Sequence, residues 1–511
     1  MKSKWLRWLR GEASLQSSRQ AAQIIRNEIA RQLNTNLSDL YALFSLTPEL
    51  VVRMLVIKQS GKQAALVYLE GMTDKISIDQ HIIRPLIEEE KQSGELGISA
   101  GPVYKTRQWS NIETSILDGC SVLFVEGSGE AYLIRTQGWP QRAIEDPQLE
   151  ASLKGAHQGF VETAIQNVAL IRRYIQSREL KNKEMIVGSR AKAKLSILYI
   201  ADLVKPELLK EMTDRLGNIK VDSILNSGEL AEYIEDNPFS PFPQFIATER
   251  PDTAASHLLQ GRIVVIVDRS PSVLIGPATF CSYFQSVDDY STRWPIASFI
   301  RLLRYLGFFL STFLPAIYIA VISFNYEIIP LDLLISIGES RERVPFPPIV
   351  EALIMEITLE MLREAGIRLP SPIGQTVGIV GGIVIGQAAV QAGIVSNIMV
   401  IIVASTAIAS FILPSYDMAS AIRLLRFPVM IVASMFGLIG IAIALMILVA
   451  HLISLESLGT PYGTPFAPVR LSDWKDTLIR LPLWSMKDRP KETRTKQSRR
   501  LGEPEPGGEG E

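Results

Sequence analysis

The pattern of apolar and polar positions changes character near Trp294. Before that residue, short apolar runs alternate with polar stretches. LVVRMLVI and AALVYL flank Ser60-Gly61-Lys62, and SVLFVE and EAYLIRT flank Gly127-Ser128-Gly129, so each pair predicts a β-hairpin. Helical spacing around Asp79–Glu90 and Asn111–Leu117 would cover one sheet face and complete a small α/β unit. From about Leu149 a long amphipathic helix is expected, with Phe160, Ala164, Val168, Ile171 and Ile175 at helical spacing. It leads into a second unit, where the strands LSILYI and RIVVIV alternate with helices near Pro206–Arg215 and Gly228–Ile234. The proline-rich stretch from Asn237 to Pro243 reads as a rigid loop.

Beyond Arg304 the chain turns apolar. Tyr305–Tyr326 carries no charge and is long enough for one bilayer crossing. Leu369–Tyr416, also uncharged, can cross twice with Ser396-Asn397 as the turn, and Phe427–Leu455 crosses once more. Between them, in Ile328–Arg368, Leu331–Ile337 is mostly apolar but too short to cross as a helix and the apolar run Ile349–Leu362 is interrupted by Glu351, Glu356 and Glu360, so the segment reads as partly re-entrant or interfacial. Four crossings return the basic tail from Arg470 to Arg500 to the side of the N-terminal region but leave Arg341, Arg343, Arg423 and Arg426 outside; five crossings reverse both placements. The expected architecture is an α/β soluble N-terminal region of two small subdomains followed by an α-helical polytopic membrane domain. Its parts are a basic, helical segment (1–35), two α/β subdomains (36–145 and 146–294), a membrane domain with four or five crossings (295–456), and a basic segment ending in a disordered tail (457–511, with Gly502–Glu511 disordered).

Composition sharpens this picture. A mean hydropathy of +0.18 over 511 residues is high for a wholly soluble enzyme. Lys+Arg 52 against Asp+Glu 53 leaves a net charge of -1 and no whole-chain attraction for nucleic acid. Cys120 and Cys281, the only cysteines, give no disulfide framework or thiolate cluster, and no two of the four histidines stand at metal-ligand spacing. No phosphate-binding loop, nucleophile elbow or zinc-protease motif occurs. The expectation is a protein that is not an enzyme and has no cofactor or metal. Met1–Arg10 mixes cations with Trp5, Leu6, Trp8 and Leu9 but lacks the apolar core of a signal peptide.

The notable chemistry lies inside the apolar part. Gly378, Gly382 and Gly386 recur every four residues, a small-residue stripe suited to close helix packing and oligomerisation in lipid. Gln375, Gln387 and Gln391 share that segment, and amides at such depth either bond across helices or line water. Glu356, Glu360 and Glu364 form an acidic stripe. Arg363 and Arg368 can neutralise Glu360 and Glu364 at helical spacing, whereas Glu356 has no basic residue one turn away. Glu356, Glu360, Gln375, Gln387 and Gln391 are therefore the candidate ion-path residues, and an unpaired Glu356 repeated in a ring would concentrate cations.

Several longer motifs place the chain near a known family. GFVETAIQNVALIRR (Gly159–Arg173), FPQFIATERPD (Phe242–Asp252), DDYSTRW (Asp288–Trp294), SRERVPFP (from Ser340), REAGIRLPSPIGQTVGIVGGIVIGQAAVQAGIVS (Arg363–Ser396) and GTPYGTPFAP (Gly459–Pro468) resemble the A subunit of GerA-type spore germinant receptors, a family that also includes the SpoVAF proteins. The resemblance extends from about Asn36 to Pro482. Two departures stand out: Gly155-Ala156-His157-Gln158-Gly159-Phe160 replaces a Gly-Pro-Arg-Glu-Gly-Phe motif, and Asp268-Arg269-Ser270-Pro271 has arginine where the family usually has glycine. The resemblance implies a multi-pass protein of the spore inner membrane with a cytoplasmic N-terminal region. It further implies a pentameric homo-oligomer that releases ions when nutrient binds, working with a transporter-like B subunit and a lipoprotein C subunit. Rival readings are a SpoVAF-like accessory channel, a membrane scaffold without its own pore, and a secondary transporter. The last needs two similar halves, and no internal repeat is evident in the sequence.

Overall fold

The structure, a computed structural model, describes residues 27–88, 98–138, 157–369, 381–382, 384–493 and 495–500. The expected N-terminal basic stretch Met1–Arg10 lies outside them. The described residues fall into two compact units. One holds those within Met1–Ile234, Ala247–Pro277 and Thr493–Gly502, and the other those within Glu235–Ile246 and Ala278–Glu492.

The first unit contains two five-stranded sheets. β1 (Leu50–Val56) and β2 (Gln63–Leu69) form the first expected hairpin, β4 (Ser121–Val125) and β5 (Ala131–Ile134) the second, and β3 (Val103–Thr106) adds to β5 at the edge. Strand alternation sends Val122 and Phe124 to one face and Leu123 and Val125 to the other. The first face packs against α1 (Leu33–Leu43) and α2 (Trp109–Leu117), the second against the helical stretch Lys75–Glu88. Both faces are covered, where helices over one face were expected, because every residue of β4 is apolar or small.

The second sheet repeats this order. β6 (Leu180–Val187) pairs with β7 (Ala193–Ile200), β9 (Ile263–Val267) with β10 (Val273–Gly276), and β8 (Ile246–Thr248) adds at the edge. α3 (Ala164–Tyr174) precedes it as α1 precedes the first sheet, and α6 (Pro251–Leu259) sits where α2 sits. Between β7 and β8 lie α4 (Pro206–Asn218) and α5 (Ser227–Ile234), at the place that the helical stretch Lys75–Glu88 takes between β2 and β3. Local bonds repeat as well. The Asn36 side chain ties both the N–H and the carbonyl of Ala30, and Asn167 does the same for Val161. The first N–H of α1 donates to Glu126, and that of α3 to Asp268, which satisfies an orphan helix donor in each case. The soluble unit is thus an internal duplication that the sequence did not reveal.

α3 is shorter than expected. It starts at Ala164, and Phe160 lies before it, with its N–H bonded to Glu249 O at 2.7 Å. The two copies are joined by a buried pair, Arg172 with Glu49, and by Asn182 N–H on Leu46 O at 3.0 Å. Lys496 N–H donates to Leu203 O, so the segment after Thr493 packs on this unit.

The second unit is helical: α7 (Trp294–Ser323), α8 (Leu331–Arg341), α9 (Pro348–Arg368), α10 (Asn397–Phe411) and α11 (Tyr416–Ser454). Of these, α7 and α11 are long and apolar enough to cross a membrane. Ser396 caps α10 by accepting from Met399 N–H, which places the turn where it was expected. Pro348–Arg368 is the expected glutamate-bearing helix, continuous over 21 residues, about 31 Å at 1.5 Å per residue. One expectation is corrected. Phe427–Leu455 is not one straight crossing, because Gly437 adopts φ 61, ψ -141 inside α11. In a straight helix, residues eight apart are separated by roughly 12 Å. Here a Cβ at Gly440 would lie 2.5 Å from Val432 O, so the chain folds back on itself at Gly437.

The duplication generates a prediction at a mismatched turn. Gly127 has φ 78, and Arg269 at the equivalent position has φ 72, a left-handed conformation that costs an L-residue about 1–2 kcal/mol. Arg269 is exposed, and its nearest carboxylate, Asp268, is 4.0 Å away, a contact of negligible worth. Arg269→Gly is expected to stabilise the chain by about 0.5–1 kcal/mol after the added unfolded-state entropy is counted. A lower midpoint in thermal unfolding of the full chain would contradict this.

Candidate functional site

Four carboxylates project from α9, and each meets arginine. Glu364 pairs with Arg368 at 2.6 Å on the surface, and Glu360 with Arg363 at 2.9 Å, as their helical spacing predicted. Arg423 of α11 approaches Glu360 at 3.6 Å. Glu351 is fully buried; Arg341 of α8 lies 3.0 Å from its Oε1, and the Ser396 N–H donates to its Oε2 at 3.0 Å.

Glu356 is 0% exposed and forms an ion pair with Arg426 of α11. Arg426 in turn donates through Nε to Ser311 O at 2.8 Å and through Nη2 to Ser311 Oγ at 3.1 Å, both on α7. Three helices are thereby fastened at one level by one guanidinium. The expectation of an unpaired Glu356 is corrected: its partner comes from a helix some seventy residues away. Arg426 is bounded on both sides by apolar chain, and a charge so placed must find a carboxylate, the one signal that could have exposed the pair. Around this level three guanidiniums, of Arg363, Arg423 and Arg426, share two carboxylates, Glu356 and Glu360. Arg363 compensates by lying 5.2 Å from the Phe411 ring centroid.

A second charged cluster marks the start of α7. Arg301 reaches Asp289 at 2.8 Å and Asp476 at 2.9 Å, and Arg304 reaches Asp289 at 2.8 Å. The Tyr290 hydroxyl donates to Asp476 at 2.8 Å; burial, with Asp476 beside it, pushes that phenol far above its usual range. Ser298 Oγ donates to Arg480 O at 3.0 Å, which binds the segment after α11 to the first turns of α7. Both cysteines are free and buried, and burial raises the Cys281 thiol out of reach of ordinary thiolate chemistry.

The remaining candidates separate. Gln387 and Gln391, one turn apart, are exposed on this chain, as is Gly382, where an added Cβ would meet nothing within 4 Å. Gly386 is buried, 3.9 Å from Val400 by the same measure. Gln375 and Gly378 lie outside the described residues. Glu356 and Glu360 therefore belong to an interior network, and Gln387 and Gln391 to an outer surface.

Comparison with known proteins adds an independent line. Residues 38–492 match the family model described as Bacillus/Clostridium GerA spore germination protein. Spore germination protein KA of Bacillus subtilis is 41% identical over 490 residues, 94% of this chain and 90% of that protein. GerLA of Bacillus cereus is 41% identical over 458 residues, 88% and 93% of the respective chains, and the uncharacterized membrane protein YfkQ of Bacillus subtilis 41% over 469, 90% and 91%. Among solved structures, the N-terminal domain of the A subunit of the Bacillus megaterium spore germinant receptor GerK3 aligns at 29% identity with a TM-score of 0.39. It covers 50% of this chain and 97% of that one.

The Glu356–Arg426 geometry yields a double-mutant test. Removing either member strands a buried charge and should cost about 3–5 kcal/mol, whereas replacing both by apolar groups can be nearly neutral. Glu356→Gln is expected to lower the amount of folded protein in the membrane, and Glu356→Leu with Arg426→Met to restore most of it. Normal accumulation of Glu356→Gln would show that the pair does not hold the helices together.

Proposed function

The chain belongs to the GerA family of spore germination proteins, and from that membership we propose that it is the A subunit of a nutrient germinant receptor whose helical unit assembles with further copies into an ion channel in the spore inner membrane. Its relatives include spore germination proteins KA and GerLA, and on this reading the chain would work within a receptor complex of several subunits and not as an enzyme. The finer reading, a homo-oligomer of pentameric order beside a B and a C subunit, rests on the family resemblance.

One observation supports the channel most directly. Gln387 and Gln391 form an exposed amide pair on an otherwise apolar, uncharged helical stretch. Amides facing hydrocarbon are costly, so in a membrane this face needs water or another copy of the chain. A ring of copies supplies both, with Gly382 at the contact and the glutamines toward the path.

A contact at the ends of the apolar helices supports an even number of crossings. Ser240, in the loop 237–243 that precedes α7, lies 2.9 Å from His451 near the end of α11. On the membrane reading, the chain would enter and leave the apolar layer on one side. That side would be cytoplasmic, since it carries the basic residues from Arg470 onward. The scaffold reading keeps one supporting fact, that α9's carboxylates are neutralised within the chain.

Two variants separate these readings. A Cβ added at Gly382 meets nothing within 4 Å among the described residues, and Gly382→Leu should abolish cross-linked oligomers; a wild-type cross-linking ladder would remove this face from the interface. Gln387→Leu combined with Gln391→Leu should reduce cation flux from proteoliposomes about tenfold while oligomers persist. Unchanged flux moves the path elsewhere, and absence of flux from the wild type supports the scaffold.

A further inference from the structure

Within the helical unit, apolar and aromatic side chains emerge from three separate segments at the ends of the two long apolar helices. Phe239 is 96% exposed, the largest value for any large apolar residue described. Its loop is rigid: Pro238, Pro241 and Pro243 flank it, the Phe239 N–H is bonded to Asn237 Oδ1 at 3.1 Å, and Ser240 is held by His451 at the end of α11. Trp484 is 77% exposed on a short turn after Arg480. That arginine's backbone N–H and carbonyl are both bonded to Ser298 Oγ, in the first turns of α7. From α7 itself, Trp294 and Phe299 are exposed at the same helix end.

These contacts fix the depth of each anchor. The uncharged run of α7 begins at Tyr305, one to two turns beyond Ser298, so a segment fastened at Ser298 sits where the apolar layer begins. Aromatic rings are favoured at that depth, where their bodies meet acyl chains and their polar edges meet headgroups. Exposed Lys475 and Lys487 flank Trp484, and Arg470 lies just before them, which suits a negatively charged headgroup layer.

We propose that the loop 237–243 and the segment 469–487 form a docking collar for an anionic lipid leaflet, with Phe239 and Trp484 as its anchors and Lys475 and Lys487 as headgroup contacts. The collar would set the depth of the helical unit and hold the ends of α7 and α11 at the membrane surface. This rests on the reading that the helical unit lies in a membrane, and the test keeps the two apart.

The experiment uses the full chain in vesicles of equal parts phosphatidylglycerol and phosphatidylcholine. Single cysteines replace Phe239, Trp484, Lys62 or Phe309 and carry an environment-sensitive fluorophore, and the buried native cysteines stay unlabelled. Lys62 is a water-exposed reference in the β1–β2 turn, and Phe309 an exposed position within α7. Labels at 239 and 484 are expected to be quenched by headgroup-proximal nitroxide lipid and severalfold better protected from iodide than the label at 62. Lys475→Gln with Lys487→Gln, or vesicles of phosphatidylcholine alone, should reduce that protection at 484. If 309 is quenched by lipid but 239 and 484 behave like 62, the collar is wrong and the membrane reading stands. If they are shielded from both quenchers, protein covers them and the collar is again overturned. If 309 too is reached only by iodide, the membrane reading itself fails.

Discussion

A charge in an apolar layer must meet an opposite charge, and this constraint organises the helical unit. α7, α9 and α11 are separate in sequence, and their apolar surfaces alone would allow them to slide or rotate against one another. The guanidinium of Arg426, directed at Glu356 and at two oxygens of Ser311, removes that freedom. Glu351 does the same at another level by gathering Arg341 and the N–H of Ser396, which ties α8 and the cap of α10 to α9. Such pairs contribute less to net stability than to specificity, because desolvation offsets most of their attraction. What they define is which helix faces meet.

The α/β unit is held by different means, and its duplication shows which features matter. The copies share strand order, an asparagine that ties back the chain before the first helix, and a carboxylate that accepts that helix's first N–H. They differ in nearly everything else, including the residue at the left-handed turn, glycine in one and arginine in the other. Backbone bonding at a few turns and caps is therefore enough to repeat the topology, provided that alternate strand residues remain apolar.

For a member of the GerA family this division of labour has a consequence. An interior locked by paired charges moves as discrete alternatives, since partial separation of a buried pair is costly. The outward glutamine face carries no such lock and is free to meet another copy.

Sequence by itself determined the local elements: both hairpins of the first sheet, the central strands of the second, the turn at Ser396-Asn397, and the ion pairs of Glu360 and Glu364 one helical turn apart. These depend on period and spacing, which are properties of neighbouring residues. The motifs also sufficed for the family. Long-range facts were not legible. The duplication stayed hidden because strand order is encoded by backbone pairing that many sequences satisfy. The reversal at Gly437 looked like one more glycine in an apolar run, since only the φ of a folded chain distinguishes a turn from a packing site. Glu356 appeared unpaired because helical spacing sees only its own helix, and Arg426 reaches it through tertiary packing. Burial decides whether a carboxylate is a solvated stripe or a lock, and burial is a property of the assembled helices.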